Sequence, residues 1–327
     1  MEILNKQDGI AKLNELGHKK VPFVFIISYD INKIIAEPIS EIDPNTLKYH
    51  FGNASNFIKR NEKLDKKIIF DSQPIDFDEY LLKFQEVQKY LQKGDSYLLN
   101  LTCQTPIRSN LSLSEIFYFT ESNFKLELVD KFVSFSPELF VRIEDNTISS
   151  FPMKGTIDAN VKNAEDQLIA DQKELAEHYT IVDLIRNDLS LVAKNVRVDK
   201  FRYIDQIKTN NKTILQSSSH IVGKLEENWQ KNIGSIFEKL LPAGSITGAP
   251  KRKTIEIIDS IENYSRNYYT GIAGIFDGNN LECYVLIRFI EKQNTKLIYK
   301  SGGGITTKSN PQTEYQELID KVYAPIF

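Results

Sequence analysis

Lys131-Phe-Val-Ser-Phe-Ser-Pro-Glu-Leu-Phe-Val-Arg-Ile-Glu-Asp-Asn-Thr-Ile-Ser-Ser-Phe-Pro-Met-Lys-Gly-Thr156 is the stretch from which the fold is read. Residues 133–135 and 139–143 are rich in β-formers, Asp145-Asn146 is a turn signal, and 147–151 return to β character. The pattern predicts paired strands, with Glu138 at a bend after Ser136-Pro137. At its end Lys154 follows Met153 and precedes Gly155. Pro152 fixes its own φ and offers no N–H, while Gly155 tolerates a turn or the close approach of another group. A polar run, 158–166, leads out. Lys154 is therefore predicted at the end of a strand, a common position for a working side chain. The plainer alternative is a lysine exposed at a turn.

On the N-terminal side, residues 1–75 read as a strand-bearing first part of the same domain, with a buried strand over 21–28 and a turn at Asp43-Pro44-Asn45. Residues 61–67 are charged and read as a loop. Residues 76–93 form an amphipathic helix, with Leu81, Phe84, Val87 and Leu91 on one stripe and Gly94 as the stop. A strand over 96–107 and a short helix over 113–119 follow.

On the C-terminal side, 163–191 read as one long helix capped by Asn163 or Asp158, its stripe made by Leu168, Leu175, Ile181, Leu184 and Ile185. Strands are predicted over 196–198, 203–207 and 213–222, and a helix over 233–241. A further helix over 250–261 starts on Pro250 and turns Ile255, Ile258 and Ile261 inward. Residues 268–276 and 281–290 form a hairpin around 277–280. A strand over 297–300 is broken by Gly302-Gly303-Gly304, and 311–323 close the chain as a helix. Strands and helices come in blocks, not in strict alternation. That predicts an α+β fold with large, mostly antiparallel sheets, whose catalytic core is 76–327.

The 327 residues suffice for a substantial core, and 41% hydrophobic with 26% charged residues is a globular composition. With 41 basic and 44 acidic side chains the net charge is −3, which gives no basic footprint for nucleic acid. Cys103 and Cys283 form no CxxC pair, and the four histidines form no HExxH. No secretory h-region is visible in the first ten residues, and 21–29 are too short to span a bilayer. A cytoplasmic protein, without membrane or nucleic-acid partners, is expected.

Glu174 and Glu177 share one face of the long helix, and Glu314 and Glu317 repeat the spacing in the last one. Four carboxylates on two helices can converge on a hard cation such as Mg²⁺, or can be two solvated faces. Gly244-Ser-Ile-Thr-Gly-Ala-Pro250 leads into a helix and offers N–H groups and a hydroxyl to an anion. Gly302-Gly303-Gly304 offers backbone N–H groups after a strand. Arg288 reads as mid-strand and needs an anion, whether a ligand carboxylate or a structural acid. His220 ends a run of three serines, and on its own it reads as structural.

Taken in order, four motifs resemble the chorismate-utilising enzymes. They are Phe151-Pro-Met-Lys-Gly-Thr156; Ala176-Glu177-His178 with Asp183 and Arg186-Asn187-Asp188; Gly244-Ser-Ile-Thr-Gly-Ala-Pro-Lys251; and Ser301-Gly-Gly-Gly-Ile305 with Glu314 and Glu317. The family includes anthranilate synthase component I, aminodeoxychorismate synthase component I, and the isochorismate and salicylate synthases. The resemblance covers residues 77–323. It implies a single α+β domain of two packed sheets flanked by helices, a Mg²⁺ cofactor and chorismate as substrate. By motif, Glu177 and Glu317 resemble the metal ligands, with Glu174 and Glu314 behind them. Tyr269, Arg288 and Gly302, Gly303 and Gly304 resemble the groups that hold a substrate carboxylate. Thr247 resembles a hydroxyl near the substrate, His220 a histidine at its ring, and Glu138 the general acid.

Lys154 separates the family members: anthranilate synthases resemble this motif but carry alanine there, whereas aminodeoxychorismate synthases carry the lysine. The resemblance implies that this amine attacks ring C2 as the C4 oxygen leaves, and that ammonia then displaces it. Beside Mg²⁺ and Arg288 the amine is expected to have a lowered pKa. Leu98 stands where isochorismate and salicylate synthases carry a lysine base, which argues against water addition. The tryptophan-pocket residues of the family are not recognisable, and no glutaminase motif occurs. Ammonia is expected from solution or from a separate glutaminase subunit. An anthranilate-forming enzyme and a non-catalytic chorismate binder are the alternatives.

Overall fold

Strand Phe23–Ile27 shows how the layers form, because every one of its residues is buried. Phe23, Phe25 and Ile27 pack with Leu13, Trp229, Ile233 and Phe237, whereas Val24 and Ile26 pack with Tyr49, Phe51, Phe124 and Leu126. Successive side chains of a strand point to opposite faces, so one face meets helices and the other meets a second sheet. Each such aromatic or aliphatic side chain stabilises the fold by about 1.5–3 kcal/mol when fully buried. The structure, a computed structural model, describes residues 1–58, 66–208 and 213–326.

Two antiparallel sheets pack face to face in an α+β architecture. The first runs, in spatial order, Met153–Asp158, Thr213–Lys224, Thr147–Ser150, Leu139–Glu144, Leu281–Val285, Ile272–Phe276, Phe23–Ile27, Ile34–Pro38, with Lys194–Lys208 also on Thr213–Lys224. The second runs Gly248–Ala249, Leu98–Ser109, Lys296–Ile305, Phe289–Gln293, Phe132–Ser134, Phe124–Leu128, Leu47–Phe51, Ala54–Ser55, with Phe70–Ser72 also on Leu98–Ser109. Helices Lys6–His18, Gln172–Ser190 and Ile233–Leu240 cover the first sheet. Helices Phe77–Lys93, Lys251–Glu262 and Pro311–Asp320 cover the second. Strands of residues 1–75 enter both sheets, so this region shares its hydrogen bonding with the rest of the chain. No helix among the described residues is long and apolar enough to cross a membrane.

Several readings need correction. The strands over 132–134 and 139–144 do not pair, because they lie in different sheets and Phe135–Glu138 is the crossover. The predicted 281–290 strand likewise divides into Leu281–Val285 and Phe289–Gln293, with the crossover between. Arg288 sits there, at φ 49°, rather than mid-strand. The long helix is two, Ala164–Ala170 and Gln172–Ser190. Asp171 is extended, and its Oδ1 accepts the Glu174 N–H, so a capping aspartate restarts the helix. The two short strands before residue 208 are one irregular strand, Lys194–Lys208. Pro250 caps Lys251–Glu262, whose buried stripe includes Ile257, while Ile255 is only half-buried. Helix Lys6–His18, capped by Asn5, was not read from the sequence. Of the loop predicted over 61–67, residues 61–65 lie outside the described residues.

Candidate active site

The two crossovers run side by side. Phe135 N–H donates to Arg288 O, Ser134 Oγ to Ile287 O, and Val285 N–H to Glu138 O. They carry Glu138 and Arg288 into a cavity of about 630 Å³. Lys154, Glu177, Tyr269, Gly302–Gly304 and Glu317 also line it, so most residues named from the sequence come together here.

Lys154 is not at the end of a strand. It lies within Met153–Asp158, where the register to Thr213–Lys224 shifts between Met153 and Thr156. Such a bulge re-aims a side chain, and Gly155, at φ 83°, accommodates it. The bare Cα of Gly155 also makes room for Glu174, whose Oε2 lies 3.0 Å from where a Cβ would stand. Lys154 Nζ is 2.7 Å from Glu177 Oε2, with the two side chains 36% and 19% exposed. Burial pulls the ammonium pKa down, but Glu177 in contact and Glu317 and Glu174 beyond it outweigh that, and the pKa lies above the ordinary lysine value. The lowered pKa expected from the sequence is thus reversed, because the amine faces carboxylates and not Arg288.

The glycine run does not break its strand. Gly302, Gly303 and Gly304 pair with Thr102, Leu101 and Asn100 inside Lys296–Ile305. At Gly303 a Cβ would point at Glu314 Oε2 (3.6 Å), Glu317 Oε1 (3.7 Å) and Lys321 Nζ (3.9 Å). Lys321 Nζ holds Glu317 Oε1 at 2.7 Å and donates to Gly302 O at 2.8 Å. Helix Pro311–Asp320, capped by Asn310, thus places its acidic pair against the glycine strand. Glu314 is buried there.

Glu138 has its pKa raised, chiefly by burial; the Ser245 hydroxyl and the charges of Lys321 and Arg288 oppose the rise only in part. A carboxyl in that condition is suited to general-acid work. Arg288 makes no ion pair among the described residues; its Nε donates to Tyr323 Oη at 3.4 Å. A guanidinium at a cavity wall without an acid partner is a ready site for an anion. Tyr269 is almost fully buried and packs on Phe289.

Two residues named from the sequence are placed elsewhere. Thr247 is fully buried outside the cavity lining, and its hydroxyl donates to Ala243 O at 2.8 Å. The segment around it does not gather N–H groups on one point, because Gly248–Ala249 pairs with Leu98–Leu99 as a strand. His220 is also outside the lining, stacked on Phe151 at 4.6 Å, with Nε2 3.2 Å from Ser149 Oγ. Burial, more than the nearby charges, lowers its pKa. Ser245 and Lys321 were missed. Ser245 sat inside a quoted motif; Lys321 falls four residues after Glu317, the spacing of a helical ion pair, and that signal could have found it.

Below the glycine strand, Arg266 and Glu262, each 2% exposed, form an ion pair of 2.6 Å. Arg266 also donates to Ile246 O and Asn100 O, and Glu262 accepts from the N–H and hydroxyl of Thr102. Asp188, from the end of helix Gln172–Ser190, pairs with Lys251 at 2.8 Å and packs against Gly244. These pairs fix the turn carrying Ser245.

Glu177 and Glu317 present hard oxygen donors, the kind Mg²⁺ takes. No cluster of three or more acidic, histidine or cysteine ligands stands preassembled among the described residues. Lys154 and Lys321 stand on the two carboxylates instead. The donor set fits a hard divalent cation in kind.

A family model described as chorismate binding enzyme matches residues 58–326. An uncharacterised PabA-like protein of Haemophilus influenzae is 50% identical over 323 residues, 98% of this chain and 97% of that one. The aminodeoxychorismate synthase component 1 of Bacillus subtilis is 32% identical over 270 residues, which are 77% of this chain and 55% of its own. In three dimensions the menaquinone-specific isochorismate synthase of Escherichia coli matches 98% of this chain and 82% of its own with a TM-score of 0.73, at 16% identity, which is a likeness of fold. Matched over most of its length and built on the same two-sheet frame, the chain belongs to the chorismate-binding enzymes.

Proposed function

We propose that this chain is the synthase component of an aminodeoxychorismate synthase, which converts chorismate and ammonia to 4-amino-4-deoxychorismate. The supporting observation is Lys154, an amine within the same cavity as Glu138 and Arg288, which pairs with no acid among the described residues. Arg288, Tyr269 and the bare face of the glycine strand hold the substrate carboxylates. Glu177 and Glu317 would hold Mg²⁺, which when bound supplies a fixed positive charge for a ring carboxylate.

The nucleophile must be the free amine, so Lys154 passes its proton through Glu177 to solvent and the pair opens before attack. Lys154 Nζ then bonds to ring C2, both ring double bonds move along the ring, and the C4–oxygen bond breaks. Glu138 gives its proton to that oxygen, which leaves as water. Ammonia bonds to C4, both double bonds move back, and the C2–nitrogen bond breaks to return the lysine as the free amine. The ammonium formed at C4 gives its extra proton to Glu138, and Lys154 takes a proton back from solvent, which restores the resting charge. Leu98 on the cavity wall gives no base for activating water. Ammonia comes from a separate glutaminase subunit.

The test is a product assay of purified protein with chorismate, Mg²⁺ and ammonium, read by liquid chromatography and mass spectrometry. Aminodeoxychorismate is expected, and Lys154→Ala is expected to abolish any adduct of the chain with the ring. Anthranilate with pyruvate as the product would overturn the assignment.

A further inference from the structure

Ser245 occupies a three-residue turn, Gly244–Ile246, and its Oγ donates to Glu138 Oε1 at 2.6 Å. The turn has little freedom. Gly244 packs on Asp188, with Oδ2 2.7 Å from where a Cβ would stand, and Ile246 O is held by the buried Arg266. Helix Gln172–Ser190 lines the cavity from Gln172 to Ile185 and also supports Ser245 through Asp188 and Gly244.

We infer that Ser245 is the positioning residue for the general acid, deciding which oxygen of Glu138 carries the proton. The inference rests on the aminodeoxychorismate synthase reading. A hydroxyl that donates to Oε1 occupies that oxygen as an acceptor. The acidic hydrogen is then left to Oε2, the oxygen free to meet the departing C4 hydroxyl. The geometry also sets a sign. A donor to Glu138 favours the carboxylate over the acid. Its removal leaves Glu138 harder to ionise and free to rotate. The other charged groups acting on Glu138 are Lys321, after helix Pro311–Asp320, and Arg288 on the neighbouring crossover, and neither changes.

The experiment compares wild type, Ser245→Ala and Ser245→Thr with chorismate, Mg²⁺ and ammonium, measuring kcat and KM from pH 5.5 to 9.5. For Ser245→Ala, kcat is expected to fall about tenfold with KM within twofold, as for loss of one positioned hydrogen bond in the transition state. The alkaline limb of kcat is expected to move to higher pH. Ser245→Thr keeps the donor and is expected to restore the wild-type limb and most of kcat. A loss that is uniform across pH, an unmoved limb, or Ser245→Thr behaving like Ser245→Ala would overturn the inference. Wild type acts as the control for the reaction itself, since no aminodeoxychorismate from wild type refutes the functional reading before Ser245 is judged. Should Ser245→Ala fail to fold, Ser245→Cys, a poorer donor of similar size, is judged by the same limb.

Discussion

Adjacent glycines in the strand Lys296–Ile305 should respond in opposite ways to the same added methyl. At Gly302 a Cβ would lie 2.5 Å from Leu101 O, 2.5 Å from Thr102 Cγ2 and 2.9 Å from Thr102 Cα. Two of these are backbone atoms of the neighbouring strand. That strand cannot retreat easily, because Thr102 gives both its N–H and its hydroxyl to the buried Glu262. Overpacking of this kind costs about 1–3 kcal/mol, against which the stiffer unfolded chain returns about 0.4–1 kcal/mol. Gly302→Ala should therefore lose about 1.3 kcal/mol at the centre of that difference, and at most about 2.6 kcal/mol. At Gly303 the nearest atoms are carboxylate and ammonium tips at 3.6–3.9 Å, ordinary contact distances. Only the unfolded-chain effect remains, so Gly303→Ala should be unchanged or up to about 1 kcal/mol more stable. Its methyl, however, stands between the cavity and Glu314, Glu317 and Lys321, so KM for chorismate should rise while the fold holds. Urea denaturation followed by tryptophan fluorescence reads the first quantity, since Trp229 is fully buried. Steady-state kinetics read the second. Equal midpoints for the two variants, or Gly303→Ala the less stable, would refute the placement of the glycine run inside a strand.

Arg266→Met leaves Glu262 charged in the core and should cost about 3–5 kcal/mol in urea denaturation, with part recovered by adding Glu262→Gln; a loss below about 1 kcal/mol would mean the pair is not buried. Glu138 has a folded pKa above its ordinary 4.5, so the native state holds the proton longer than the unfolded chain. Its contribution to stability is complete below pH 4.5 and is lost as pH rises through the folded pKa. Glu138→Gln should therefore gain stability relative to wild type as pH rises above 4.5, and a constant difference from pH 4 to 8 would contradict the raised pKa. Arg288→Lys keeps a charge but loses the planar fork, and chorismate KM should rise at least about tenfold with a smaller change in stability; an unchanged KM would exclude Arg288 from the carboxylate site.

Local signals made much of the fold legible. The apolar stripe and Gly94 marked helix Phe77–Lys93, and Asp145-Asn146 marked a hairpin whose two turn residues do have positive φ. Sheet membership was not legible. Residues 133–143 carry continuous β character, and nothing local says that Ser136-Pro137-Glu138 passes from one sheet to the other. The same blindness put Arg288 mid-strand. The glycine run looked like a breaker because Gly is poor in strands, yet here Gly302 packs its bare Cα against the neighbouring strand, and Gly303 leaves the cavity face open beside the acidic helix. Motif order named residues most of which line one cavity, but it could not say which atoms face it. Thr247 and Ser245 share one motif, and only the turn geometry assigns Ser245 to the cavity and Thr247 to a backbone carbonyl.

The charge of the cavity bears on what it can bind. Lys154, Lys321 and Arg288 stand against Glu174, Glu177, Glu314 and Glu317, while Glu138 is biased toward its neutral form. Lys300, paired with Glu291 at 2.9 Å, and Lys308 also line the cavity, so five cations stand against five carboxylates, and three of the cations are already committed to Glu177, Glu317 and Glu291. A dicarboxylate substrate alone would add two more negative charges beside them, a costly burial without a partner. Under the proposed function, substrate and a divalent cation together add no net charge, so each should favour the other. Chorismate affinity should therefore rise with Mg²⁺ and Mg²⁺ affinity rise with chorismate by the same factor, since linkage between two binding events is reciprocal. Isothermal titration of each ligand in the presence and absence of the other measures both factors. Chorismate binding that is independent of Mg²⁺ would mean that Arg288 and the lysines suffice, and the two acidic pairs would then need another explanation.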